Sequence, residues 1–290
     1  MKEIVVISGK GGTGKTSLTA SFSFLGGDKM ITADCDVDAA DMHLLLEPDF
    51  AESEDFYSGK MAFIDKNQCT NCGSCAAICR FDAIIEDGNV HRIIELNCEG
   101  CGYCYHVCPV DAISMIDNLV GKWYKSKIKT GSFMVHAKLG IGAENSGKLV
   151  AKVKQEAKAL AEQLGKELVL VDGSPGIGCP VISSLSGANL VVLVAEPSIS
   201  GIHDLKRVIQ LIQKFQIPSC CIINKADINE KNTLELMEFL NRNSVKHIGN
   251  IDYNENFTKA MTEGKTIMEY SDKGLADKVQ TLWNDILKIL

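Results

Sequence analysis

The chain has 290 residues, a formal net charge of −7, 46 % hydrophobic and 23 % charged residues, as expected of a soluble globular protein with one large or two ordinary domains. The acidic balance makes nucleic acid and anionic membrane surfaces poor partners. Twelve cysteines are many for this length. Eight lie between Cys69 and Cys108, too tightly spaced for a disulfide framework, which favours metal ligation in a reduced, cytoplasmic protein.

In chain order, Glu3–Ser8 reads as an apolar strand, Gly9–Gly14 as a loop and Lys15–Leu25 as a helix. No targeting peptide fits ahead of that strand. The loop Gly9, Lys10, Gly11, Gly12, Thr13, Gly14, Lys15, Thr16, with Ser17 behind it, fits G-x-x-x-x-G-K-[ST] between a strand and a helix. In such a loop backbone N–H groups and the helix N-terminus cradle phosphate. Lys15 would reach the β- and γ-phosphates, and the Thr16 hydroxyl would hold Mg²⁺. The next strand, Met30–Ala33, ends in "DCDVDAAD". Its carboxylates Asp34, Asp36, Asp38 and Asp41 serve the same site or form a solvated strand end.

Residues 61–117 change character to short, Cys-rich segments that form an internal repeat. Cys69, Cys72, Cys75 and Cys79 recur as Cys98, Cys101, Cys104 and Cys108, each shifted by 29, and Asp82-Ala83-Ile84 recurs as Asp111-Ala112-Ile113. Beyond it, "KWYKSKIKTGSFMVHAKL" suits a hairpin turning at Thr130–Gly131. From Lys148 a helix to Leu164 alternates with the apolar runs "ELVLVDGSPG", "ANLVVLVAEP" and "SCCIINKAD" and a helix over Leu205–Phe215. Continuous apolar strands alternating with helices predict a parallel sheet covered on both faces. The expected division is therefore one α/β domain in two parts, 1–60 and 118–290, around a small α+β insertion at 61–117. Leu275, Val279, Leu282, Ile286 and Leu290 share one helical face. Its polar side mixes Asp277, Lys278, Asp285 and Lys288, which suits packing against the sheet rather than a membrane surface. The longest apolar run, Leu190–Ala195, is far short of the roughly 20 residues a membrane helix needs, so no membrane insertion is expected. Cys35, Cys220 and Cys221 read as small buried side chains.

Each half of the repeat has the C-x₂-C-x₂-C-x₃-C run of a bacterial ferredoxin. That resemblance implies two [4Fe–4S] clusters with exchanged fourth ligands. Cys69, Cys72, Cys75 and Cys108 would hold the first, and Cys98, Cys101, Cys104 and Cys79 the second. A pair of structural zinc sites is the alternative. One departure from the run is Arg80, where the second half has Pro109.

"KGGTGKT" resembles the deviant Walker motif of the MinD/ParA/Mrp superfamily of P-loop ATPases, which includes the nitrogenase iron protein. The likeness continues through "DCDVDAAD", "VDGSPGIG" and "INKAD". It implies a nucleotide-dependent sandwich dimer, with itself or with a close paralogue, in which Lys10 crosses to the partner's nucleotide. It further implies that Asp36 orients the attacking water with Asp34 as helper, that Asp172 stands near Mg²⁺, that Gly176 is a hinge and that Asn224 contacts the base. Lys10, Lys15, Asp36 and Asp172 are the catalytic candidates. Asn224-Lys225-x-Asp227 also resembles the guanine-reading motif of GTPases, so GTP stays open beside ATP. Cys179 stands where the iron protein has a cluster ligand. The segment resembling that protein's second ligand, "LGIGAENSG", has Ala143 at the matching place, so a shared cluster is not expected.

Three readings follow. One is an ATPase, using ATP/ADP, Mg²⁺ and two [4Fe–4S] clusters, that handles electrons or clusters for an acceptor protein. Another is a MinD/ParA-like positioning ATPase with the clusters as redox sensor. The last is a non-catalytic scaffold.

Overall fold

The computed structural model describes residues 1–140, 142, 145–270 and 272–290. The chain divides into two compact units, one made of 1–54, 123–138 and 146–290, the other of 55–122 and 139–145. The inserted unit is wider than the Cys-rich stretch because the strands that lead into and out of the cysteines belong to it.

The first unit begins with β1 (Lys2–Ile7), α1 (Lys15–Gly26), β2 (Met30–Asp34) and the short α2 (His43–Leu46). β3 (Glu52–Ile64) then runs into the insertion, which contains α3 (Ser74–Ile78), β4 (Ile84–Asp87), β5 (Val90–Ile93) and α4 (Tyr103–Val107). β6 (Ile113–Lys127) returns to a turn closed by the Gly131 N–H donating to the Ile128 carbonyl, where the hairpin is expected. There follow β7 (Phe133–Leu139), α5 (Ser146–Gln163), β8 (Leu168–Asp172), α6 (Cys179–Leu185), β9 (Leu190–Ala195), α7 (Ile199–Phe215) and β10 (Ser219–Asn224). α8 (Glu230–Arg242), β11 (Lys246–Ile251), α9 (Asn256–Thr262) and α10 (Lys273–Ile289) complete the chain.

The strands form a nine-stranded sheet in the order β11-β10-β9-β1-β8-β2-β7-β6-β3, parallel from β11 through β7. β1, β8, β9 and β10 are almost wholly buried, as expected for strands with helices on both faces. β1 lies between β8 and β9, and successive strands are added on opposite sides of it, β2 and β7 on one and β10 and β11 on the other. The C-terminal end of β1 is the switch point where α/β proteins bind ligands. Register brings Asp34 beside Asp172, and Val6 beside Asp172 on the other side.

The face carrying α1 and α10 holds a large hydrophobic core, where Phe22 stacks on Trp283 with ring centroids 5.3 Å apart. α10 buries Leu275, Val279, Leu282, Trp283 and Ile286 there, so its apolar face is covered by its own unit. α7 starts six residues before its expected Leu205. Ser198 caps it by accepting from the Gly201 N–H, a local bond that outweighs the weak helix propensity of Gly201.

A buried ion pair ties α5 to both β1 and α6. Lys154 is 2.8 Å from Glu3, and its ammonium also donates to the Ser184 and Ser186 carbonyls at the end of α6. Removing one member of a buried pair costs about 3–5 kcal/mol. Lys158 keeps a 3.0 Å contact with Glu3, so Lys154→Met is expected to cost about 3 kcal/mol, at the low end of that range. Denaturant unfolding at unchanged m-value checks this, and an unshifted midpoint would contradict it.

The inserted unit shows its repeat in the backbone. Asn71 and Gly100 both have positive φ, 55° and 65°, and so do Asp82 and Asp111, at 50° and 52°. These positions are 29 residues apart, like the cysteines. Its core is Ala62, Ile64, Cys75, Ile84, Cys104 and Ile113.

Candidate functional site

At the C-terminal end of β1 a cavity of about 760 Å³ is lined by Gly11 to Ser17, Asp36, Ser174, Asn224, Tyr253 and Phe257. The loop folds tightly for two reasons. Gly14 has φ 90°, and a Cβ there would stand 2.5 Å from the Asn224 amide; a Cβ on Gly9 would meet the Leu205 backbone nitrogen at 2.6 Å. Glycine alone fits both places.

Lys15 is 5 % exposed and turns its ammonium towards Asp172 at 2.9 Å and Asp36 at 3.4 Å. Burial alone would lower its pKa, but Asp172 and Asp36 outweigh that and raise it, so it is held charged. The Thr16 hydroxyl donates to Asp172 Oδ2 at 2.8 Å and the Thr19 hydroxyl to Oδ1 at 2.9 Å. Asp34 lies behind them. Burial, reinforced by Asp172, pushes its carboxyl up to about 7. Its Oδ1 accepts from the Asp36 N–H, while Oδ2 is buried without a partner. Burial also raises Asp36. Three carboxylates share one lysine, and one carboxyl oxygen is unpaired. That donor set fits a divalent cation beside Thr16.

The remaining nucleotide candidates take up varied places. Asp38 and Asp41 are exposed, although both border the cavity. Gly176 has φ 89° and its N–H donates to the Ser8 carbonyl. Ser17 donates to the Met261 sulfur. Asn224 lines the cavity but also braces the loop, donating to the Thr13 carbonyl at 2.8 Å and accepting from the Lys225 N–H. Lys10 is folded back on its own chain, 2.6 Å from Glu196 and donating to Ser200. Lys225 reaches the same carboxylate at 3.2 Å and the Gly12 carbonyl at 2.8 Å. Burial alone would raise Glu196, but its bonds from Lys10, Ser198 and Lys225 hold it below the ordinary range.

The sequence reading missed Glu196, Tyr253 and Phe257. Glu196 was visible as the polar residue ending the "VVLVAEP" strand. The aromatics carry no local signal, because α9 and the loop before it reach the cavity only through the fold.

In the inserted unit the cysteines separate into two groups. Cys69, Cys72, Cys75 and Cys108 line one cavity, and Cys79, Cys98, Cys101 and Cys104 line the other. The fourth thiol of each set comes from the opposite half of the repeat. The inner walls are mainly apolar, with Ile64, Ala112 and Ile113 in one, which His91 also lines, and Ala83, Ile84 and Ile93 in the other. Four sulfur donors around an apolar hollow fit an iron–sulfur cube. Among the described residues no three His, Cys, Asp or Glu side chains form a ready single-ion site; between Asp36 and Asp172 the Lys15 ammonium takes that place. Burial pushes up the Cys75 and Cys104 thiols, whereas Ser74 hydrogen bonds lower Cys72.

Cys35, Cys220 and Cys221 are buried as expected, Cys220 being pushed up to about 12 by burial. Cys179 is exposed at the start of α6, its Cβ 3.0 Å from where a Gly147 Cβ would stand. Ala143 lies outside the described residues.

Residues 62–115 match the family described as the 4Fe-4S dicluster domain. The chain is 34 % identical to the uncharacterized protein MJ0578 of Methanocaldococcus jannaschii over 233 residues, which are 79 % of this chain and 80 % of that protein. Two solved structures share its fold. The septum site-determining protein MinD of Pyrococcus horikoshii OT3, complexed with Mg-ADP, superposes with a TM-score of 0.60 at 18 % identity, covering 99 % of this chain and 96 % of that one. A chain of the MinC:MinD cell division protein complex of Aquifex aeolicus does so at 0.56 and 17 %, again covering 99 % and 96 %.

Proposed function

Since this chain belongs to the family of the Methanocaldococcus jannaschii protein MJ0578 and carries a 4Fe–4S dicluster domain inside a MinD/ParA-like P-loop ATPase fold, we propose that it binds and hydrolyses ATP and that its nucleotide state gates electron transfer or cluster handling for a partner protein. The observation that carries this reading is the pairing, in one chain, of a charged nucleotide-sized cavity with two cavities each ringed by four cysteines.

Lys15 and the loop N–H groups would hold the β- and γ-phosphates, and Asp36, in the cavity wall, would position the attacking water. Thr16, with Asp172 and Asp34 behind it, would hold Mg²⁺, which when bound neutralises charge on the phosphate oxygens. Tyr253 and Phe257 offer faces for a base. Adenine is favoured over guanine because Asp227, the carboxylate a guanine reader needs, lies outside the cavity wall and accepts from the Tyr253 N–H at 2.6 Å. Cys69, Cys72, Cys75 and Cys108 would hold one [4Fe–4S] cluster and Cys98, Cys101, Cys104 and Cys79 the other, both in a reducing cytoplasm. Dimerisation with a second copy or a paralogue requires Lys10 to leave Glu196. A positioning role on membranes is disfavoured, since α10 has no free apolar face and, among the described residues, no helix is long and apolar enough to cross a membrane.

Connectivity supports coupling. The chain enters the insertion at residue 55, fourteen residues after Asp41, and leaves it within β6, next to β7, whose His136 pairs in register with Asp34. Ligands shift states only through differential affinity, and the coupling is reciprocal. Redox titration with ADP, with a non-hydrolysable ATP analogue and without nucleotide is expected to show at least one cluster shifted by about 30 mV, roughly a threefold change in equilibrium constant. Three superimposable titrations, with unchanged chelator kinetics, would defeat the gating reading.

A further inference from the structure

The 29-residue repeat relates the walls of the two cysteine cavities position by position. Ile64 corresponds to Ile93, Ala83 to Ala112 and Ile84 to Ile113, and each faces the cavity its partner's symmetry predicts. Among the buried wall positions the correspondence breaks once. Ala62, in the cavity of Cys98, Cys101 and Cys104, corresponds to His91, in the cavity of Cys69, Cys72 and Cys75. His91 is 6 % exposed, and its Nδ1 is buried without a hydrogen-bond partner.

A buried polar nitrogen without a partner forfeits the hydrogen bond it made to water, so natural folds rarely leave one. The cavity it lines holds the thiols of Cys69, Cys72, Cys75 and Cys108, and the hydroxyls of Thr70 and Ser74, which also border it, make no hydrogen bond to that nitrogen. Resting on the crossed cluster ligation proposed above, we propose that His91 donates an N–H hydrogen bond to a sulfur of the cluster held by Cys69, Cys72, Cys75 and Cys108. Four cysteines already complete that ligand set, so the imidazole acts as a donor to sulfur and not as an iron ligand. Hydrogen bonds to the sulfurs are among the features that set cluster potentials. Reduction adds negative charge to the cluster, so a donor stabilises the reduced form and raises the potential. Its twin has the methyl of Ala62 in that place and gains no such stabilisation. The repeat thus carries two unlike clusters, and an electron entering the pair settles on the one beside His91.

The test uses anaerobically purified full-length protein labelled with ¹⁵N-histidine. Iron and sulfide come first: a content well below about eight of each per chain defeats the two-cluster reading itself. With both clusters present, pulsed EPR of the one-electron-reduced protein is expected to show a ¹⁵N coupling, lost in His91→Leu. In that variant the higher midpoint potential is expected to fall by a tenfold change in reduction equilibrium, about 59 mV for a one-electron couple, closing the gap to the second cluster. His91→Asn, which keeps an N–H donor, is expected to restore part of the shift. Absence of the coupling in the wild type, or unchanged potentials in His91→Leu with about eight iron retained, would overturn the assignment. If His91→Leu loses iron, the wild-type coupling alone decides.

Discussion

Lys15→Ala is expected to abolish tight ATP binding and, in the nucleotide-free protein, to lower stability as well. Both effects have one origin. Lys15 is the cation around which Asp36, Asp172 and, further back, Asp34 are gathered, and it is nearly inaccessible to solvent. A hydrogen bond to a charged group contributes about 1.5–3 kcal/mol. The Kd for ATP should therefore rise by roughly ten- to more than a hundredfold. In the empty site the same substitution strands buried carboxylates, for which about 3–5 kcal/mol is the usual penalty. The stability deficit carries a pH signature. Asp34 is pushed up to about 7 from 3.8, mainly by burial, so it binds its proton more tightly in the folded than in the unfolded chain. Stability therefore falls as pH rises through that window. Losing Lys15 raises the carboxyls further, so the deficit should shrink towards pH 4 and be largest above pH 7. Nucleotide titration by calorimetry and denaturant unfolding across pH measure the two effects. An unchanged Kd would remove Lys15 from the phosphate site, and a deficit that grew in acid would refute the carboxylate origin.

Cys79→Ser is expected to cost the protein the cluster of Cys98, Cys101 and Cys104, and not the one in whose run Cys79 stands. The cavity walls place Cys79 with the second run and Cys108 with the first. Anaerobic iron should fall from about eight to about four per chain. Double substitutions identify the cluster that is lost, because ligands of one cluster are redundant in their loss while those of different clusters add. Adding Cys101→Ser to Cys79→Ser should remove no further iron, whereas adding Cys72→Ser should remove the rest. The reverse pattern would show uncrossed ligation and would undermine the two cavities as cluster sites.

Contiguous motifs made the nucleotide loop, the acidic strand end and the cysteine runs legible in sequence, because each works through neighbours a few residues apart. The alternation of apolar strands and helices gave the parallel sheet for a similar reason, since burial on both faces leaves an unbroken apolar run. What escaped notice depends on sequence separation. Glu196 acts on Lys10 across 186 residues, and Tyr253 and Phe257 reach the cavity from α9 and the loop before it. The resemblance implies that Asn224 contacts the base; that its amide also donates to the Thr13 carbonyl is something no local pattern reveals. His91 was hidden differently. Comparing the halves from the first cysteine onwards stops short of residue 62, where Ala62 and His91 differ.

The split of the first unit by the second has a consequence for the order of events on the ribosome. β1 emerges first, but its neighbours β8 and β9 begin at residues 168 and 190, so the nucleotide cavity cannot close until more than half the chain has followed. By then residues 55–122, with every cysteine of both runs, are already outside. Domains tend to fold as units during synthesis, N-terminal first. Here the guest is complete before its host, and a metal arriving at that stage would meet a nascent chain whose loop cavity does not yet exist.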